Sequence, residues 1–297
     1  MKKSILLVSL IIIFLIPVYV KAQQNPLRDQ IAQIAKTSKG IVGVSILGIE
    51  SRDTLSYNSK DRLVMQSVMK FPIALTVLHL VDSGKINLDM LLHITKKDLP
   101  KNTYSPLRDK YPKGDVDVSF GELLRYMVSL SDNNACDILL SVLGGTKPVQ
   151  DYILRQGVRG IAVNASEADM AASWEVQYTD WCKPYEMTKL LDLFYQGKIL
   201  SKTNTDFLYK LMTETTTGPN RIKGLLPAGT VVAHKTGTSA TNAQGLAPAT
   251  NDVGIITLPN GKHLAISVFV CNSTDDEATR DAIIAKISKA AYGFYNH

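Results

Sequence analysis

Residues 67–84 read SVMKFPIALTVLHLVDSG, and at this stretch the pattern of the chain changes. Before it, an opening helical run (PLRDQIAQIAKTS) leads into GIVGVSILGI and DTLSYNS. Those two segments are β-branched and apolar and are bounded by Gly, Ser and Asp, as strands are. From residue 67, apolar residues recur at helical spacing and stop at Gly84. SFGELLRYMVSL, NNACDILLSVLGG, PVQDYILRQG, PYEMTKLLDLFYQG and TNTDFLYKLMTE continue the helical pattern. Strands return near residue 229 with GTVVAHKTGTSA. DVGIITL, PNGK and HLAISVFVC then predict a hairpin, its Asn-Gly suited to a type I′ turn. A final helix follows in TDDEATRDAIIAKISKAAYGFY, where Thr274 and Glu277 have capping-box spacing. Strands at both ends with helices between them predict an α+β fold, a terminal antiparallel sheet with an inserted all-α lobe. The expected division is residues 23–61 with 214–297 for the sheet lobe and 62–213 for the helical lobe. The seam between the lobes is the expected place for a ligand.

Of the 297 residues, the first 22 do not read as part of this fold. MKK is a positive n-region, SILLVSLIIIFLIPVYV is apolar, and VKA supplies the small residues of a cleavage site. A signal peptide cut after Ala22 is expected, leaving the chain periplasmic or secreted with no stable membrane anchor. Removing Lys2, Lys3 and Lys21 lowers the formal charge from +6 to +3, so much of the basicity belongs to the leader. No Lys/Arg cluster with interleaved aromatics remains, which excludes nucleic acid as an expected partner. Cys136, Cys182 and Cys271 form no CxxC and no metal-ligand pattern with the five histidines, and are expected as mostly buried thiols. Nothing in the sequence calls for a metal or an organic cofactor.

The chain has no GxSxG, HExxH, Walker loop or GxGxxG, so a working serine here is not expected to rely on histidine. SVMK occurs as the single Ser-x-x-Lys and places Ser67 and Lys70 one turn apart on one helix face. The helix N-terminus favours negative charge developing beside them. SDNNA gives Ser131, Asp132 and Asn133 between two helical segments, read either as a proton relay with a carbonyl-binding amide or as a polar cap. HKTGTS sets Lys235, Thr236 and Gly237 on a strand that could offer its edge and its cation to a carboxylate. A strand with a bulge is the plainer alternative.

Taken together, SxxK, SDN and KTG in this order, 64 and 104 residues apart, resemble the penicillin-recognising serine enzymes and most closely the class A β-lactamases. YSP at Tyr104, the run GLLPAGT and the terminal helix extend the resemblance over essentially the whole mature chain. It implies a five-stranded antiparallel sheet flanked by N- and C-terminal helices, a β-lactam substrate and a monomer. The catalytic residues it implies are Ser67 as nucleophile, Lys70 beside it, Ser131 as proton relay and Glu167 as the base that activates water. Backbone N–H groups of Ser67 and Thr238 would form the oxyanion hole. Asn133 would position the substrate side-chain amide, while Lys235, Thr236 and Thr238 would hold its carboxylate. Arg221 stands where some members place a supporting arginine, with a surface charge as the alternative. Tyr104 would line the mouth of the site, or be a half-buried loop aromatic.

The loop NASEADMA departs from the family pattern. Many members place an arginine two residues before the glutamate, paired with an aspartate at the far end of the loop. Here that position is Ala165, while Asp180 keeps the place of the aspartate. Many also place an asparagine four residues after the glutamate, where this chain has Ala171. Together with Thr238 and Ser239, these departures imply a cephalosporin-preferring branch. Either the water is held mainly by Glu167 and Ser67, or the loop takes another path. A DD-peptidase-like penicillin-binding protein and a β-lactam sensor that stays acylated share the three motifs. The first generally lacks a glutamate placed like Glu167, and the second needs a retained membrane segment.

Overall fold

The structure, a computed structural model, describes residues 25–296. The expected leader and its cut after Ala22 lie outside the described residues. Helix α1 (Pro26–Ala35) starts at Asn25, whose Oδ1 accepts the N–H groups of Leu27 and Arg28. Strands β1 (Ile41–Gly48), β2 (Thr54–Tyr57) and the short β3 (Leu63–Val64) follow. A 3-10 turn over Gln66–Met69 runs directly into α2 (Lys70–Asp82). Strands β4 (Leu91–Ile94) and β5 (Val116–Ser119) pair antiparallel, with α3 (Pro106–Lys110) between them in sequence. Helices α4 (Phe120–Ser129), α5 (Asn133–Leu143) and α6 (Lys147–Arg155) come next. Strand β6 (Ile161–Ala162), α7 (Glu167–Ala172) and β7 (Trp181–Cys182) lead to α8 (Pro184–Tyr195) and α9 (Lys202–Thr213). Strands β8 (Val232–Thr238), β9 (Ala247–Thr257) and β10 (His263–Ser273) precede the terminal α10 (Glu277–Tyr295).

The main sheet has five antiparallel strands in the order β2-β1-β10-β9-β8, so β8 is an edge strand. One face packs on α1 and α10 through residues such as Ile31, Val44, Ile266 and Ile284. The other face is not shared between two separate cores. Phe269, Val253 and Leu47 of the sheet belong to the same buried cluster as Phe71, Leu124 and Leu190 of the helices. Helix α8, which lies within the helical interval of the sequence, packs on β1 and β10. Its Thr188 hydroxyl donates to Ser45 O and Ser267 Oγ. Helix α2 is buried from Lys70 to Leu78, because its apolar residues cover every face rather than one stripe. Phe71 meets Phe194 of α8 edge to face, with ring centroids 5.5 Å apart.

A three-stranded ribbon, β3-β7-β6, decides where the site lies. Cys182 of β7 faces both Leu63 and Ile161, so the base of the Glu167 loop is stitched to the strand that leads into Ser67. Cys136, Cys182 and Cys271 are free and buried, and burial pushes the Cys271 thiol up to about 12. Among the described residues no helix is long and apolar enough to cross a membrane.

Two local expectations are corrected. The hairpin turn between β9 and β10 is not type I′. Gly261 alone takes the left-handed conformation (φ 77°), and its N–H donates to Leu258 O. Pro259 and Asn260 occupy the turn positions, where proline's fixed φ suits a right-handed turn followed by a glycine bulge. The cap of α10 is Asp276, whose Oδ1 accepts the Thr279 N–H, rather than Thr274 with Glu277. The helix begins two residues later than the capping-box spacing predicts.

Candidate active site

The N-terminal turn of α2, the link between α4 and α5, the Glu167 loop and the edge strand β8 meet at one point. Lys70 is fully buried, and its Nζ donates to Ser67 Oγ at 3.0 Å, Ser131 O at 2.8 Å and Asn133 Oδ1 at 2.6 Å. It also pairs with Glu167 Oε1 at 2.9 Å. Ser67 Oγ donates to that same carboxylate oxygen at 3.3 Å. A hydroxyl, an amine and a carboxylate therefore form a closed triangle in which a proton can pass between any two members. Ser131 holds a left-handed backbone (φ 57°), which an ordinary residue adopts only when its surroundings fix it. Asp132 supplies much of that support: its carboxylate caps α5 at Ala135 N and accepts from Ser105 Oγ and Leu107 N.

Lys235 is fully buried on β8, and its Nζ donates to Ser131 Oγ at 2.9 Å and Thr236 O at 3.0 Å. Burial, and then the neighbouring Lys70, pull its ammonium well below the usual lysine range. Thr236 Oγ1 shares a 2.6 Å hydrogen bond with Thr217 Oγ1. Thr238 is exposed at the end of the strand. Gly237 lies against the turn that carries Ser67 so closely that a Cβ there would fall 2.3 Å from Met65 O and 3.2 Å from Val68 N. This contact brings the backbone of β8 alongside Ser67.

Arg221 is not a surface charge, being only 2% exposed. Its Nε donates to Asp281 Oδ1 at 2.7 Å, and NH1 donates to Gly237 O at 3.2 Å and Asn251 O at 3.1 Å. It braces β8 from behind, and Asp281 of α10 offsets its buried charge. Tyr104 is 56% exposed rather than half-buried. Its carbonyl accepts the Asn133 N–H, and the preceding Thr103 accepts from Asn133 Nδ2 at 2.7 Å.

The Glu167 loop is held without an arginine. Asp180 Oδ1 accepts the N–H of Asn164 at 2.7 Å and of Ala165 at 3.0 Å, so backbone donors replace the missing guanidinium. Its other oxygen, Oδ2, is buried with no partner. Burial pushes the Asp180 carboxyl up to about 7 against the pull of those two N–H groups. At the other side, Asp137 of α5 accepts the N–H of Glu167 at 2.8 Å and of Ala168 at 2.9 Å. Burial raises Asp137 to about 6. Ser166 and Asp169 close a capping box on the first turn of α7, which begins at Glu167 itself. Neither Asp137 nor Thr103, Thr217 or Asp281 stood out in the sequence. NNACDILL offered Asp137 only as one polar residue within an amphipathic helix.

The model of the β-lactamase enzyme family matches residues 26–295. β-Lactamase VEB-1 of Pseudomonas aeruginosa is 44% identical over 99% of this chain and 98% of its own. The extended-spectrum β-lactamase PER-1 of the same organism is also 44% identical, over 92% of this chain and 88% of its own. Among solved structures, a β-lactamase from Chitinophaga pinensis superposes with a TM-score of 0.90 at 50% identity, covering 92% of this chain and 100% of that one. A representative class A β-lactamase from Bacteroides cellulosilyticus gives 0.87 at 39% identity, covering 92% and 99%. Fold and relatives together thus define a class A β-lactamase. The chain belongs to the β-lactamase enzyme family: it is a hydrolase of β-lactams, an activity that confers antibiotic resistance.

Proposed function

We propose that hydrolysis runs through an acyl-enzyme on Ser67. Ser67 Oγ attacks the lactam carbonyl carbon, and its proton passes to the Lys70 and Glu167 pair. The carbonyl oxygen, negative in the tetrahedral intermediate, is received by the backbone N–H groups of Ser67 and Thr238. The C–N bond breaks, and Ser131, whose Oγ accepts a hydrogen bond from Lys235 Nζ, passes the proton taken from Ser67 on to the departing nitrogen. Glu167 then takes a proton from water, whose oxygen attacks the ester carbonyl; the bond between that carbon and Ser67 Oγ breaks, and the proton returns from Glu167 to Ser67 Oγ. Asn133 positions the substrate's side-chain amide, with Tyr104 at the mouth. Lys235, Thr236 and Thr238 hold its carboxylate, and Arg221 keeps that strand in place.

The observation that carries this reading is the triangle of Ser67 Oγ, Lys70 Nζ and Glu167 Oε1, with edges of 3.0, 2.9 and 3.3 Å. Glu167 is what favours a hydrolase over a DD-peptidase or a sensor, because it brings a carboxylate within reach of the serine ester. We further assign a cephalosporin preference, supported by Ala165, Ala171, Thr238 and Ser239 and by the extended-spectrum description of PER-1. The working division of the chain is residues 23–61 with 214–297 as the sheet lobe and 62–213 as the helical lobe. We take the protein as an exported monomer after cleavage behind Ala22. Purified protein mixed with a chromogenic cephalosporin tests the reaction. Sustained turnover with an unmodified final mass supports it, whereas a single stoichiometric adduct supports the peptidase or sensor. Ser67→Ala should lose all covalent labelling, and labelling that survives would move the nucleophile elsewhere.

A further inference from the structure

Immediately before the nucleophile, Gln66 holds a left-handed backbone (φ 49°) that a non-glycine residue keeps only when its surroundings impose it. Its side chain reaches across to the closing arm of the Glu167 loop, where Gln66 Nε2 donates to Gln177 Oε1 at 2.7 Å. Gln177 is 4% exposed and belongs to the 3-10 turn Trp174–Thr179. Its own Nε2 donates to Trp174 O at 2.7 Å. That second bond fixes which end of the Gln177 amide is the acceptor, so the direction of the bridge follows from the network. A backbone bond runs in parallel, from Met65 N to Asp180 O at 3.0 Å. On the opposite side, Asn251 Nδ2 of β9 donates to Val64 O at 2.8 Å and Met65 O at 3.1 Å. The turn that presents Ser67 is thus gripped between the sheet and the loop.

We infer that Gln66 and Gln177 are positioning residues, an amide bridge that holds the Glu167 loop against the nucleophile's turn and thereby sets the rate of deacylation. Two features select that step. Ser67 and Lys70 lie on one continuous turn and helix, so loosening the loop leaves their mutual geometry intact, and Lys70 Nζ, 3.0 Å from Ser67 Oγ, remains to take the proton in acylation. Glu167 lies on the other side of the bridge, and its distance from Ser67 is the quantity the bridge fixes. The loop has no arginine at Ala165 to grip Asp180, so its closing arm depends on contacts of this kind. The inference rests on the reading of Glu167 as the group that activates water.

Methionine matches the length of glutamine and removes only the amide, so Gln66→Met isolates the bridge, Gln177→Met removes it together with the bond to Trp174 O, and the double variant tests whether the two residues act as one unit. Rapid-quench mass spectrometry with a cephalosporin gives acylation and deacylation rates separately. Each single variant is expected to acylate within about twofold of the parent and to deacylate about three- to tenfold more slowly, the scale of one net hydrogen bond. The double variant should be no slower than the slower single one, because the two residues act as one unit. Equal losses in both steps, unchanged rates, or effects that multiply in the double variant would each overturn the proposal. So would variants that fail to fold, since the bridge would then be a stability element. Failure of the underlying reading looks different: the parent and Glu167→Gln would deacylate alike, whatever the bridge variants do.

Discussion

Asp180 is the residue whose chemistry departs furthest from a surface aspartate. It accepts two backbone N–H groups through one oxygen and leaves the other buried and unpartnered. Its carboxyl is raised to about 7, chiefly by burial. An acid whose folded value lies above its unfolded one binds its proton more tightly when folded. Its contribution to stability is therefore fully present below the unfolded value of about 4 and is lost as pH rises through about 7. Asp180→Asn, which is neutral throughout, should lose less stability than the parent between pH 5 and pH 8, by roughly 1 kcal/mol or more. Urea unfolding of both proteins at the two values checks this, and parallel losses would contradict it. The sequence located Asp180 but not its partners. What accepts or donates to it is main chain, which every residue carries and no motif records. The same reason hid Asp137, whose two acceptor oxygens serve the N–H groups of Glu167 and Ala168.

At the scale of elements, β8 and the 3-10 turn before α2 are built to approach more closely than side chains allow. Gly237 makes this possible, with Met65 O only 2.3 Å from where its Cβ would stand. Backbone occupies that space, so no rotamer change relieves the clash. Gly237→Ala should push the strand off the turn and slow acylation at least tenfold, at a stability cost of about 1–3 kcal/mol. Stopped-flow acylation together with chemical unfolding measures both, and an unchanged acylation rate would show that β8 does not need this contact. The sequence placed Gly237 on the strand beside Lys235 and Thr236, but not its approach to the turn that carries Ser67, because the partner is main chain and leaves no motif. The turn between β9 and β10 was misread for another reason. Asn-Gly suggests a mirror-image turn, but Pro259 in front of it fixes a right-handed one and leaves Gly261 alone left-handed.

For the whole molecule, the alternation of strand and helix patterns announced the sheet with its helical insert, but not how they share a core. Helix α8 falls among the helices in sequence yet covers the sheet, and one buried cluster runs from Phe269 through Phe71 to Leu124. A contiguous core argues for cooperative unfolding despite the length of the chain. The two tryptophans, Trp174 and Trp181, both lie in or beside the Glu167 loop. Their fluorescence and the far-UV circular dichroism should therefore give one midpoint in denaturant. A fluorescence transition well below the dichroism one would mean that the loop opens independently of the core.

Glu167 is the group proposed to free Ser67, and Glu167→Gln addresses that role most directly. Glutamine keeps the size and can still hydrogen-bond to Lys70, but it cannot take a proton from water. After mixing with a cephalosporin, intact mass spectrometry should find the variant carrying one covalent adduct that persists for minutes to hours, while the parent returns to its free mass. A variant that turns over at the parent rate and shows no lasting adduct would contradict the assignment and place the activation of water on another group.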